Sequence, residues 1–120
     1  MTDTHALAGR RLLLVEDEYF IADDLARELL AGGAEVIGPA GTVDDALDLL
    51  DEAGRLDGAV LDLNLQGEMA FPVADALMEA DVPFVFTTGY DQAAIPARYA
   101  HVIRCEKPVD AARIAAALFR

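Results

Sequence analysis

Five side chains that could bind a metal ion or a phosphoryl group lie at the ends of short apolar runs of the sequence. They are Glu16, Asp17, Asp62, Thr88 and Lys107. Two or three carboxylates with open coordination positions suit a hard cation such as Mg²⁺, and a carboxylate beside that cation can attack phosphorus to form an acyl phosphate. A hydroxyl and a lysine can neutralise charge on the transferring phosphoryl oxygens. The residue types therefore favour magnesium-dependent phosphoryl transfer.

The position of each side chain suggests its role in such a transfer. Asp62 ends the apolar run "VLD" and would be the nucleophile, because a buried carboxylate without a partner or a task is costly. Glu16 and Asp17 follow "LLLV" as an adjacent acidic pair and would hold the metal ion. Thr88 and Lys107 would contact the phosphoryl oxygens.

The composition limits the classes of protein to which the chain can belong. Its 120 residues are 54% hydrophobic, which is typical of one globular domain with a single core. The net charge of −13 would repel phosphate backbones, so direct binding of nucleic acid is not expected. No apolar run approaches the roughly 20 residues of a membrane span, and the N-terminal residues lack the regions of a signal peptide. We therefore expect a cytoplasmic protein with no membrane partner.

The apolar residues alternate between two periodicities. Short apolar runs predict buried β-strands at 12–15, 35–38, 58–61, 83–86 and, more weakly, 101–103. Between them, apolar residues at helical spacing predict four α-helices, with apolar faces at 22–29, 43–50, 73–78 and 114–118. Thr42 and Asp110 are the expected N-caps of the second and the last helix. Residues 91–100 favour no helix, because Pro96 interrupts them.

Five apolar strands that alternate with helices predict a doubly wound α/β domain, in which helices cover both faces of a parallel sheet. Ligand sites of such sheets lie at the carboxyl ends of the strands. Because all five candidate side chains follow or end a strand, we expect the fold to bring them to one edge of the sheet.

Four motifs of the chain resemble the receiver domains of bacterial two-component response regulators. In order, they are "LLLVEDE", "VLDLNL", "VFTTGY" and "EKP". The resemblance covers essentially the whole chain. It implies a flavodoxin-like five-stranded sheet in the order 2-1-3-4-5 and a single receiver domain over residues 1–120, with no output domain.

The resemblance also implies a function and a fuller set of site residues. Asp62 would accept a phosphoryl group from a histidine kinase or a histidine phosphotransfer protein, with Mg²⁺ bound, and the modified domain would act on an unknown downstream protein. The backbone carbonyl of Asn64 would be a further metal ligand, and the bond between Lys107 and Pro108 would be cis. Such a domain is a phosphorylated signalling domain rather than an enzyme, although it assists its own phosphorylation and dephosphorylation.

Two positions depart from the common receiver pattern. Receivers usually have an aromatic residue three positions before the lysine, where this chain has Arg104. Tyr90 instead follows the threonine–glycine pair, and "FVFTTGY" resembles a receiver subgroup with F-x-T-G-Y at this point. We therefore predict that Tyr90 and residues 91–100 respond to phosphorylation. The usual strand-5 aromatic switch should be absent, because Arg104 occupies its position.

Two other classes of protein remain open from the sequence. A haloacid-dehalogenase-like phosphatase also uses an aspartyl phosphate and Mg²⁺, but that family resembles D-x-D after its first strand, where this chain has "VEDE". Sustained turnover of a small phosphate ester would favour it. A receiver-shaped interaction module that is never phosphorylated is the other alternative, and failure to accept a phosphoryl group would favour it.

Overall fold

The computed structural model describes residues 5–89 and 95–119. Its strands are β1 (Arg11–Val15), β2 (Glu35–Ala40), β3 (Gly58–Asp62), β4 (Asn64–Leu65), β5 (Glu68–Met69), β6 (Phe84–Thr88) and β7 (Arg104–Glu106). Five of them form a parallel sheet in the order β2-β1-β3-β6-β7, and β4 pairs with β5 in a separate antiparallel hairpin. Counting the main strands alone, this is the order 2-1-3-4-5. The predicted doubly wound α/β fold is confirmed.

The described residues contain four α-helices, of which the first three connect strands of the main sheet and the fourth follows the last strand. They are α1 (Tyr19–Ala31), α2 (Val43–Glu52), α3 (Phe71–Glu79) and α4 (Ala111–Phe119). Thr42 Oγ1 accepts the backbone N–H of Asp45 at 3.0 Å, and Asp110 Oδ1 accepts that of Arg113 at 2.9 Å. Both predicted N-caps are confirmed, because each satisfies a backbone donor that has no partner within its helix. Within the described part of the chain, no helix is long and apolar enough to cross a membrane.

The hydrophobic core has two layers, one on each face of the sheet. Alternate residues of a strand point to opposite faces, so Leu13 belongs to the layer beneath α2 and α3, whereas Leu12 belongs to the layer beneath α1 and α4. Phe86 and Tyr99 are the largest fully buried side chains of the first layer. Both faces of the sheet are therefore covered, as the sequence predicted.

The last strand of the sheet lies three residues later than predicted. The apolar run 101–103 is not a strand, because the backbone N–H of Val102 donates to the Tyr99 carbonyl at 2.9 Å in a turn. Ile103 is 49% exposed. The strand β7 alternates instead, and within it only Cys105 is buried. An edge strand needs only one apolar face, so the continuous apolar run was the wrong signal. Residues 95–100 contain a single 3-10 turn, Ala97–Tyr99, and no α-helix, as predicted.

Candidate functional site

The parallel register of the sheet brings the five candidate side chains to its carboxyl edge. Asp62 is the last residue of β3 and is paired with Thr87 of β6, so Thr88 lies next to it along this edge. Glu16 directly follows β1, which is the other neighbour of β3. Lys107 directly follows β7, whose residue Glu106 is paired with Thr88. Four strand ends therefore carry one site.

Lys107 bridges two buried carboxylates at this edge. Its Nζ lies 2.7 Å from Glu16 Oε1 and 3.1 Å from Asp62 Oδ2. The other oxygen of Glu16 accepts the backbone N–H of Glu18 at 3.0 Å, and Asp62 Oδ1 accepts that of Asn64 at 3.4 Å. Since Glu16 and Asp62 are only 5% and 3% exposed, water screens their charges weakly. One lysine therefore compensates two buried acids.

The excess of negative charge shifts the protonation equilibria of this cluster. Burial raises the pKa of Asp62 from 3.8 to about 7, and the negative charge of Glu16 acts in the same direction, while Lys107 opposes both only in part. Burial acts to lower the pKa of Lys107, but its hydrogen bond to Glu16 and the charge of Asp62 outweigh burial and raise that pKa. A further cation beside Asp62 would stabilise its ionised form.

The carboxylates of the cluster fit a divalent cation. Glu16, Asp17 and Asp62 each offer one oxygen, and these oxygens lie within 4.8 Å of one another. Carboxylate and carbonyl oxygens are the ligands that Mg²⁺ and Ca²⁺ prefer. The donor set therefore suits a hard cation and gives no reason to expect a metal that prefers thiolate or imidazole.

The cluster opens into a cavity of about 420 Å³. Its lining includes Asp17, Asp62, Asn64, Thr88 and Lys107. A cavity of this size can hold a phosphoryl group together with a hydrated cation. Solvent-borne ligands can therefore reach Asp62, although its own side chain is almost completely buried.

Comparison with known proteins identifies relatives of the whole chain. No protein-family model matches it. The solution structure of SdrG from Sphingomonas melonis Fr1 is similar with a TM-score of 0.79 and 37% sequence identity, over 96% of this chain and 98% of that one. The BeF3-activated conformation of SdrG from Pseudomonas melonis Fr1 gives a TM-score of 0.77 and 36% identity, over 94% and 98%. The chain belongs to the response-regulator receiver domains.

A curated relative supports the same family over part of its length. The transcriptional regulatory protein PdtaR of Mycobacterium tuberculosis is 32% identical over 92 residues, which are 76% of this chain and 44% of PdtaR. The receiver domain thus spans less than half the length of that relative. Its extent as a single domain over 1–120, without an output domain, and its F-x-T-G-Y subgroup both stay predictions.

A response regulator from Burkholderia pseudomallei was solved with a phosphorylated aspartic acid, a calcium ion and citrate. It is similar to this receiver domain with a TM-score of 0.78 and 26% identity, over 91% of this chain and 66% of that one. A divalent cation therefore accompanies a phosphorylated aspartate in at least one similar structure.

Of the two residues that depart from the common receiver pattern, the structure describes Arg104. Arg104 is the first residue of β7, is exposed, and is paired in the sheet with Phe86. The bond between Lys107 and Pro108 is cis. Tyr90 and residues 91–94 lie outside the described residues, so the predicted switch at Tyr90 stays a prediction.

Several residues of the receiver cavity were missed by the sequence analysis. Glu18, Gln66, Gly67 and Gly89 also line it. Gln66 and Gly67 form the two-residue turn between β4 and β5, both with left-handed backbone angles, φ 53° and 89°. The usual sequence signal for such a turn is Asn-Gly or Asp-Gly. Here glutamine stands in the first position, so the sequence did not indicate the turn. The adjacency of Glu18 to the acidic pair was the only signal for that residue.

A second cluster with an aspartate at its centre lies between α3 and the 3-10 turn Ala97–Tyr99. Asp75 accepts hydrogen bonds from Arg98 Nε at 3.1 Å and from Arg98 Nη2 at 3.3 Å. It also accepts the Tyr99 hydroxyl, which lies 3.2 Å from the Phe71 carbonyl as well. The Arg98 guanidinium stacks over the Tyr99 ring at 4.5 Å. This cluster attaches the turn to α3.

Proposed function

We propose that this receiver domain is phosphorylated on Asp62 by a histidine kinase or a histidine phosphotransfer protein, in a reaction that requires Mg²⁺. The observation that carries the proposal is the contact of Asp62 Oδ2 with Lys107 Nζ at 3.1 Å, at the floor of a cavity that Thr88 also lines. A nucleophile, a cationic donor and a hydroxyl donor thus share one opening.

Glu16, Asp17, Asp62 and the backbone carbonyl of Asn64 are the proposed metal ligands. When bound, Mg²⁺ would reduce the charge on the phosphoryl oxygens and on Asp62. The three carboxylates supply the hard oxygen ligands that this ion prefers. Their excess charge over Lys107 favours binding of a cation in this place.

The transfer proceeds by attack of one Asp62 carboxylate oxygen on phosphorus. A bond forms between that oxygen and phosphorus, and the bond from phosphorus to the donor histidine nitrogen breaks with its electron pair staying on nitrogen. The Lys107 ammonium leaves Asp62 and contacts a phosphoryl oxygen instead, while its contact with Glu16 stays in place. The Thr88 hydroxyl donates to a second phosphoryl oxygen.

A protein donor must dock beside the cavity, and the first turn of α1 offers a surface for it. Tyr19 and Phe20 are 73% and 78% exposed and pack edge to face, with ring centroids 5.4 Å apart. A second cavity of about 540 Å³ shares Glu18 and Lys107 with the first and is also lined by Asp24. Exposed aromatic residues beside a reactive centre are typical of a protein-binding surface, and the acids favour a donor with basic contact residues.

Other parts of the proposed function follow from the receiver family and the charge. The phosphorylated domain would act on a downstream protein rather than on nucleic acid, because its net charge is −13. The cytoplasmic location stays a prediction. Membership of the receiver family sets aside the haloacid-dehalogenase alternative, whereas an interaction module that is never phosphorylated is a possible outcome of the test below.

The test is to incubate the wild type and Asp62→Asn with acetyl phosphate and Mg²⁺ and to weigh the intact proteins. We expect one phosphoryl adduct on the wild type and none on the variant. When EDTA is present from the start to remove the metal, no adduct should form on the wild type. Asp75→Asn is the matched control, because it removes another carboxylate that is paired with a cation, and it should keep the adduct.

An adduct of similar yield on Asp62→Asn would show that another residue is phosphorylated. Absence of an adduct from every variant, with acetyl phosphate and with candidate kinases, would favour the interaction module.

A further inference from the structure

The rim of the cavity carries a neutral amide that the proposed transfer does not use. Gln66 lies four residues after Asp62, is exposed, and lines the same cavity as Asp62, Thr88 and Lys107. An amide offers both an acceptor oxygen and two donor hydrogens. It can therefore hold a water molecule without adding negative charge to an already acidic site.

The turn that carries Gln66 is held in place by several contacts. Asn64 is paired with Met69 and Leu65 with Glu68, and Asn64 Oδ1 accepts the backbone N–H of Gly67 at 2.7 Å. A hydrogen bond from the Ala70 N–H to the Leu63 carbonyl at 2.9 Å joins the two residues that flank the hairpin. Because Leu65 and Ala70 are buried, the turn is anchored to the core next to the end of β3.

The backbone of Gln66 adopts a conformation that its side chain disfavours. Its φ of 53° lies in the left-handed region, which costs a non-glycine residue roughly 1 kcal/mol. A glycine would meet no such cost at this position. A non-glycine side chain at a strained position beside a reactive centre is a candidate for a functional role.

The other polar side chains of the cavity are assigned or carry the wrong charge. Lys107 and Thr88 contact phosphoryl oxygens in the proposed transfer, and Asp17 holds the cation. The carboxylate of Glu18 would repel the negatively charged phosphoryl group.

The neutral side chain of Asn64 also lines the cavity, but its oxygen accepts the Gly67 N–H. Gln66 is thus the neutral polar side chain to which neither the transfer nor the hairpin gives a task.

We propose that Gln66 positions the water molecule that hydrolyses the acyl phosphate on Asp62, and so sets the lifetime of the signal. This inference rests on the proposed function. The water oxygen forms a bond to phosphorus, and the bond from phosphorus to the Asp62 oxygen breaks with its electron pair returning to the carboxylate. The water proton leaves with the released inorganic phosphate or passes to solvent. Gln66 orients the attacking water by hydrogen bonding, as a glutamine does in some phosphoryl-transfer proteins.

The experiment measures the half-life of the adduct. The wild type, Gln66→Ala, Gln66→Met and the control Glu68→Ala are phosphorylated with acetyl phosphate and Mg²⁺. The donor is then removed, and intact mass is followed over time. Methionine keeps the size of glutamine without its hydrogen-bonding groups, and Glu68 lies on the same hairpin but does not line the cavity.

We expect both Gln66 variants to lengthen the half-life about five- to tenfold, the factor that the loss of one hydrogen bond in the transition state would cause. Glu68→Ala should match the wild type, and Mg²⁺ affinity, measured by titration without a donor, should be the same in all four proteins.

Three results would contradict parts of this scheme separately. A half-life that shortens in Gln66→Ala but not in Gln66→Met would mean that Gln66 only covers the cavity, and an unchanged half-life in both would mean that it has no role. Either result would overturn the inference and leave the phosphoacceptor site intact. A wild type that accepts no phosphoryl group would instead contradict the proposed function.

Discussion

Asp62 and Asp75 each face a cationic side chain, but their environments shift their pKa values in opposite directions. Asp62 is almost completely buried, shares Lys107 with a second acid, and has its pKa raised to about 7. Asp75 is half exposed, and its pKa is lowered, first by its hydrogen bonds from Arg98 and then by that from Tyr99. The ionised form of Asp75 is therefore satisfied, whereas that of Asp62 is not.

If the proposed function holds, this difference distinguishes a structural ion pair from one that takes part in phosphorylation. A carboxylate with enough donors gains nothing from a further ligand, so the Asp75 cluster can only hold α3 and the turn Ala97–Tyr99 together. A buried carboxylate with too few donors is stabilised by a cation and can receive a phosphoryl group. Proximity of an acid to a base is common to both clusters and would not have distinguished them.

Replacing the cationic side chain of each cluster should give the largest difference in the rate of phosphorylation. Lys107→Ala should slow phosphorylation by acetyl phosphate about 100-fold, because a preorganised cation at a transferring phosphoryl group is worth about this factor. The phosphorylation rate of Arg98→Ala should stay within about twofold of the wild-type rate, since the Arg98 side chain bonds to Asp75 and does not line the cavity. Initial rates of adduct formation, followed by intact mass, measure both effects.

Titration with Mg²⁺ is the control for this contrast. Lys107→Ala should keep its affinity for the ion, whereas Asp17→Ala should lose it. If Lys107→Ala lost Mg²⁺ while Asp17→Ala bound it normally, the assigned roles would be wrong. A large loss of phosphorylation in Arg98→Ala would show that the Asp75 cluster also takes part in the reaction.

The sequence predicted those features that depend on local pattern or on the general rule for parallel sheets. Apolar runs located the first four main strands, and the rule that carboxyl ends share an edge located Asp62 and Lys107 together. The last strand was misplaced because β7 buries only Cys105. The Asp75 cluster could not be predicted, since Asp75 looks like an exposed helix residue and its partners lie 23 and 24 positions away.

The next contrast concerns stability as a function of pH without divalent cations. The folded pKa of Asp62, about 7, exceeds the unfolded value of 3.8. The folded state therefore binds the proton more tightly, so this contribution to stability is full below pH 3.8 and is lost as the pH rises through about 7. Asp62→Asn avoids that loss. The free energy of unfolding of this variant should exceed that of the wild type by almost nothing at pH 4 and by about 2 kcal/mol at pH 8. The full shift, at roughly 1.4 kcal/mol per pKa unit, would predict a larger difference, but the variant also weakens the contact of Lys107 with residue 62.

Asp75→Asn is the matched variant, with the opposite sign. The folded pKa of Asp75 is lowered, so its contribution is present above its unfolded value and is lost as the pH falls. This variant should be less stable than the wild type at pH 8 and should approach it at low pH. Urea unfolding in EDTA at several pH values measures both differences. Parallel pH profiles for the two variants would contradict the distinction between the clusters.

The smallest expected effect is the response of the Asp75 cluster to activation. Beryllofluoride with Mg²⁺ stands in for a phosphoryl group on Asp62, and we expect it to shift the NMR signals of Thr88 and Gly89 and, beyond them, Tyr90. Tyr99 is buried and bonded to Asp75, and its ring stacks on Phe71 with centroids 5.3 Å apart. The turn that contains Tyr99 should therefore stay in place on activation. The segment that rearranges should end before position 97, rather than extend over the whole predicted range 90–100.

Removing one hydroxyl tests whether Tyr99 sets this limit. Tyr99→Phe loses the hydrogen bonds to Asp75 and to the Phe71 carbonyl at a cost of about 1 kcal/mol. The shift changes caused by beryllofluoride should then extend through residues 97–99, while the affinity for beryllofluoride stays within about twofold. If the amide signals of Asp75 and Tyr99 in the wild type shift as much as that of Thr88, the second cluster is part of the switch. The separation between a structural and a functional aspartate would then fail, because both clusters would respond to the same phosphoryl group.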